Sequence, residues 1–159
     1  MTPFDEFDDE DSDEEAPWAR SEEERTVLEK LRLMLLGLRG SARTGADLRA
    51  LGAALMFIEE ALEGERPDHH SQLSIGYRRG DSYGGEGVWV GFTLYEDEIK
   101  LDETRSAYER DVGSDHESFD HAVLYPGKEW NAGGVDRWIS RANELLGEEG
   151  ASVSGTLNE

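Results

Sequence analysis

Between residues 21 and 62 apolar side chains recur every third or fourth position, the spacing of one face of a helix. Val27, Leu31, Met34, Leu35 and Leu38 follow an S-x-x-E capping box at Ser21 and Glu24. Glu22, Glu23 and Glu24 fill the first turn, where the helix dipole favours acids, and Gly40 suits the stop. Leu48, Leu51, Leu55, Ile58 and Leu62 form a second stripe that opens at Thr44 or Gly45 and closes at Gly64 and Pro67. The connection is short, which predicts an antiparallel helical hairpin. We read the second stripe as core, with a dimer seam as the alternative.

After Pro67 the period changes to two. Leu73, Ile75 and Tyr77 alternate with Gln72, Ser74 and Arg78 and predict a strand, followed by a Gly-rich turn over 79–87. In the next strand Val88, Val90, Phe92 and Leu94 share one face and Trp89, Thr93 and Tyr95 the other, so it is expected to be central. Glu96, Asp97 and Glu98 make a tight acidic turn into a strand through Ile99 and Leu101. A weak strand over 107–112 and a stronger one with Phe119, His121, Val123 and Tyr125 on one face complete the run. A last helix carries Val135, Trp138, Ile139, Ala142, Leu145 and Leu146 and ends at Gly147. The predicted class is α+β: an N-terminal helical hairpin, an antiparallel meander of four to five strands and a C-terminal helix, with the helices packed on one sheet face.

Length and charge sharpen this picture. The 159 residues suffice for one domain. Thirty-seven acids face sixteen bases, only three of them lysine, for a net charge of -21. Residues 1–24 hold twelve of the acids and one base, with Phe4, Phe7 and Trp18 as the aromatics. Such a segment buries too little apolar surface to offset its ordering entropy, so residues 1–20 are expected to be a disordered acidic tail. Residues 21–147 should form the domain and 148–159 a flexible C-terminal tail. The tail at the front is read as solvating, or as an arm for a basic partner; halophilic adaptation is a third source of the acidity.

The same arithmetic disfavours several classes. Without cysteine there are no disulfides, thiol nucleophiles or cysteine metal sites. No apolar run approaches a membrane span, and the acidic start is unlike a secretory signal, which leads to the expectation of a cytoplasmic protein. Direct nucleic-acid binding is disfavoured because phosphate contacts need a basic footprint.

Candidate chemistry fails on spacing. His116 and His121 are five apart, where a helical zinc pair needs four. Asp68-His69-His70 sits in a loop, and adjacent histidines diverge. Asp9, Asp11 and Asp13 open like a calcium loop, but Glu14 stands where glycine is needed and Arg20 where the bidentate glutamate belongs. The glycines at 80, 84, 85, 87 and 91 lie between strands, not before a helix, and no G-x-S-x-G elbow exists. We therefore expect no metal, no cofactor and no catalysis.

What remains is a surface. Glu96, Asp97, Glu98, Asp102 and Glu103 are expected to crowd one sheet edge, with Asp81, Tyr83 and Glu86 in the neighbouring loop. Trp89 and Tyr95 lie on the face that the main apolar stripe leaves free, unless the last helix covers them. Charge steers a basic protein partner and aromatics anchor it. In size, charge and α+β type the chain resembles bacterial immunity proteins, which implies inhibition of a cognate toxin. The alternatives are a nucleic-acid mimic of the anti-restriction kind and an acidic secretion chaperone.

Overall fold

The computed structural model describes residues 17–65, 67, 70–95 and 97–158. Helix α1 (Glu22–Gly37) starts as its sequence predicts, with Ser21 Oγ accepting from the Glu24 amide at 3.2 Å. The Glu24 carboxylate reaches one residue further back than a capping box requires. It accepts from the Arg20 amide at 2.8 Å and from the Arg20 guanidinium at 3.1 Å. A 3-10 turn (Arg39–Ser41) leads to α2 (Gly45–Leu62), capped by the Thr44 side chain.

Helix α2 buries more than the stripe of leucines. Ala50, Leu51, Ala54, Leu55, Phe57, Ile58 and Ala61 are all buried, while Leu48 is exposed. The second, small-residue row exists because α2 is sandwiched between α1 and strands β1 (His70–Gly80) and β5 (Ser152–Asn158). Alanines let the helix approach closely. Across from them a Cβ on Gly155 would stand 2.6 Å from the Ala50 Cβ and 2.7 Å from Leu73 Cδ2.

β1, β2 (Gly84–Tyr95), β3 (Glu98–Glu109) and β4 (Gly113–Leu124) form the expected antiparallel meander. Helix α3 (Ala132–Leu146) then crosses the sheet, and β5 joins it antiparallel beside β1, giving the order β4-β3-β2-β1-β5. The helices cover one face. Leu73 and Ile75, Val90, Phe92 and Leu94, Ile99 and Leu101, Ala122 and Leu124, and Val153 point into that core. The class is α+β, with β2 central as its two-sided apolar pattern implies.

Four local expectations are corrected. Trp18, assigned to the disordered tail, is fully buried, with ring centroids 6.0 Å from Phe57 and 5.6 Å from Trp130. An indole this large outweighs the acidic composition around it. Phe4, Phe7 and the calcium-like Asp9, Asp11 and Asp13 lie outside the described residues, as do Asp68 and His69. The segment 148–159, expected to be flexible, contains β5: among the described side chains Val153 alone reaches the core, and the strand is held by the ladder to β1. Residues 107–112 are not a strand of their own but the end of β3 and its turn. In β4 the buried residues are Ala122 and Leu124, whereas Phe119, and Tyr125 just beyond the strand, are exposed. An extra residue at His121 opposite the Leu101–Asp102 step switches the faces of the strand there.

That bulge seats α3. The Trp138 indole donates to the Asp102 carbonyl at 3.1 Å, and its ring packs edge-on to Phe92 with centroids 5.3 Å apart. Gly134 lies so near the His121 carbonyl that a Cβ would come within 2.2 Å of it.

Candidate functional site

The sheet outruns its helices. Residues 78–80 of β1, the last five residues of β3 apart from Ser106, and 113–120 of β4 are exposed. The β1–β2 and β3–β4 turns lie at this same end. The first is organised by Asp81, whose carboxylate accepts from the amides of Tyr83 at 2.9 Å and Gly84 at 3.2 Å. The second turn is tied to the first. The Arg110 amide donates to the Tyr83 carbonyl at 2.8 Å, and the Arg110 guanidinium lies 5.2 Å from the Tyr83 ring centroid.

The two tips gather both ingredients expected of a protein-binding surface. Tyr83 (65% exposed), Tyr108 and Val112 present apolar area, with Phe119 exposed further along β4, and Asp81, Glu86, Glu109, Asp111, Asp115 and Glu117 present carboxylates. Several neighbouring bases are already engaged. Arg79 pairs with Glu148 at 2.9 Å, Arg78 lies over Trp89 at 4.7 Å and Arg105 pairs with Glu103 at 3.3 Å.

The residues singled out from the sequence are thereby divided. Asp81, Tyr83 and Glu86 belong to the tips. Asp97 and Glu98 stand at the opposite end of β2, whose twelve residues span roughly 36 Å at strand rise. Glu96 lies outside the described residues. Trp89 and Tyr95 are on the sheet face without helices. Trp89 is half-buried under Arg78, and Tyr95 is exposed with its ring edge-on to His70 at 5.4 Å. Asp102 shares that face and lies against Gly91. Its burial pushes its carboxyl pKa up, Lys100 opposes the shift and Asp120 adds to it.

Glu103 is on the other face altogether, 2% exposed beneath α3. His121 Nε2 is 3.0 Å from one carboxylate oxygen, and Arg141 Nε at 3.0 Å and Arg105 Nε at 3.3 Å donate to the other. Burial raises the cost of its charge, but the hydrogen bonds from His121, Arg141 and Arg105 and the Arg141 charge outweigh it and hold the carboxyl below the ordinary range. A carboxylate stabilised in this way is a poor proton acceptor. Its role is to fasten α3 to β3 and to the β4 bulge. Strand parity reveals this position, since Ile99, Leu101 and Glu103 share one face. Arg105 continues the same alternation, whereas the partners His121 and Arg141 carry no such signal.

A groove of about 570 Å³ opens beside this cluster, between α3 and the overhanging strands. Glu86, Asp115, His116, Glu117, Arg105 and Arg141 line it. Among the described residues no group of three or more His, Asp or Glu is placed to hold a metal ion. No described helix is long and apolar enough to cross a membrane. No protein-family model matches the chain, and neither does any curated protein or solved structure.

Proposed function

We propose that the chain is a non-catalytic binding protein whose two hairpin tips engage and block a basic protein partner, as an immunity protein blocks its toxin. The observation that carries this reading is the coincidence, at one uncovered end of the sheet, of exposed aromatics with six carboxylates, where Arg78, Arg79 and Arg105 are engaged elsewhere and Arg110 lies over Tyr83. A surface of this kind accelerates encounter with a basic protein through its field and holds the complex through its rings.

Capture from native cell extract, washed at stepwise increasing salt, tests it. The wild-type chain is expected to retain one stoichiometric basic protein through moderate salt. The triple variant D111N/D115N/E117Q should lose it early, and D97N/E98Q at the far end should keep it. Equal retention by both variants, or no specific protein surviving the first wash, would sink the proposal.

A further inference from the structure

We propose that the outer edge of β4 accepts an extended basic segment of the partner as a sixth strand, its cations at alternate positions. This deepens the reading above and rests on it.

Three observations converge on β4. The first is the backbone. β4 is the last strand of the sheet and ladders with β3 alone, so every second residue aims its amide and carbonyl outward, without a ladder partner among the described residues. The opposite edge is treated differently. There β5 is bridged by Ala42 beside Val153, and Arg43 donates to the Ala151 carbonyl at 3.3 Å. Along β4 residues 113–120 are exposed and keep an unbroken register with β3 until the bulge at His121, long enough for about eight residues of pairing.

The second is charge in strand register. Asp115, Glu117 and Phe119 pair across from Ala107, Arg105 and Glu103 and so lie on the helix side, while His116, Ser118 and Asp120 lie on the other. Successive side chains on one face stand about 7 Å apart, the spacing of alternate residues in any strand laid alongside. Cations at every second position of the incoming segment therefore meet Asp115 and Glu117 together, and opposite charges across a ladder attract.

The third is the groove. It lies on the side towards which Asp115 and Glu117 point, and Glu86 adds a carboxylate to its wall. Among the described residues Asp115 and Glu117 form no ion pair, Glu86 stands across the ladder from Arg79, which is itself paired with Glu148, and Arg105 and Arg141 in the same wall are held by Glu103. The groove offers depth and anionic ends to a long cationic side chain reaching past the edge.

The same acids decide between occupants. A second copy pairing antiparallel through β4 would set carboxylates against carboxylates, which opposes the contact. A basic strand removes that repulsion.

The probe is a fluorescein-labelled peptide of sequence KTKTKVKT, compared with KKKKTTVT, which has the same composition but no alternation. Anisotropy titration of the full chain at low salt should show at least tenfold tighter binding of the alternating peptide. D115N/E117Q, two exposed isosteric changes whose folding is verified by circular dichroism, should reduce that binding at least tenfold. Hydrogen exchange should show new protection at alternate amides within 113–120. Equal affinity for the two peptides, or protection elsewhere with none in β4, would overturn strand addition even where basic partners are still captured through the tips. Failure of the capture experiment together with no peptide binding would overturn both.

Discussion

A buried carboxylate is retained only where its surroundings repay the loss of water, and Glu103 shows how that is arranged here. Its three donors come from β3, from the β4 bulge and from α3, so one side chain joins three elements. Substituting Glu103→Gln keeps the shape and removes the charge that Arg141 and His121 face. We expect a loss of about 1–3 kcal/mol at neutral pH, read as a lower denaturant midpoint. The pH dependence follows from a folded-state pKa below the unfolded one. The stabilisation is complete above the unfolded value and disappears as pH falls through the folded one. The wild type should therefore lose stability on acidification more steeply than E103Q. Asp102 acts in the opposite sense. Its raised pKa means that its charge weakens the fold as pH rises through that value, so Asp102→Asn should be neutral or stabilising at pH 7. Chemical denaturation of both variants between pH 3 and 8 checks the two signs.

At the scale of elements, close approach is the organising constraint. Helix α3 is held by Trp138 on the Asp102 carbonyl and by Gly134 against the His121 carbonyl. Because the obstacle at Gly134 is backbone, Gly134→Ala must move the helix or the bulge, at a cost of about 1–3 kcal/mol. The N-terminal segment gives a second test. Deleting residues 1–20 removes Trp18 and the Arg20 contacts to Glu24, whereas deleting 1–16 leaves both. The longer deletion should cost about 3–5 kcal/mol more, the price of a buried tryptophan, and calorimetry of the two proteins measures the difference. These features also mark where the sequence stops being legible. Helix stripes, the Ser21 cap and the alternation in β1 and β2 could be read because each is a local period. Trp18, β5 and the bulge could not. A lone tryptophan among acids has no period, β5 has only Val153 fully buried among its described side chains, and a bulge inverts parity without leaving any mark in composition. The tips were half legible: Asp81, Tyr83 and Glu86 stand beside glycine, but only the pairing of β3 with β4 carries Asp111, Asp115 and Glu117 to the same end.

Across the whole molecule the charge of -21 works against compactness and for encounter with cations. Screening should separate these effects. Raising sodium chloride from about 0.05 to 0.5 M shortens the Debye length from roughly 14 to 4 Å, and should raise the melting temperature while slowing association with the basic partner. A protein whose melting temperature is flat over that range would have its acids too dispersed to matter. Topology adds a temporal consequence. The hairpins join neighbours, as where Gly80 meets Gly85, but β5 pairs with residues more than seventy-five positions earlier in the chain. Closing so long a loop carries its entropic cost before any contact repays it. The seam between β1 and β5 is then the slow, late event in folding and the first to part under stress. Amides along 152–158 should exchange through partial opening while those at the centre of β2 exchange only with global unfolding. The edge bearing the acids would thus be assembled early, on a scaffold whose far side is the last to close.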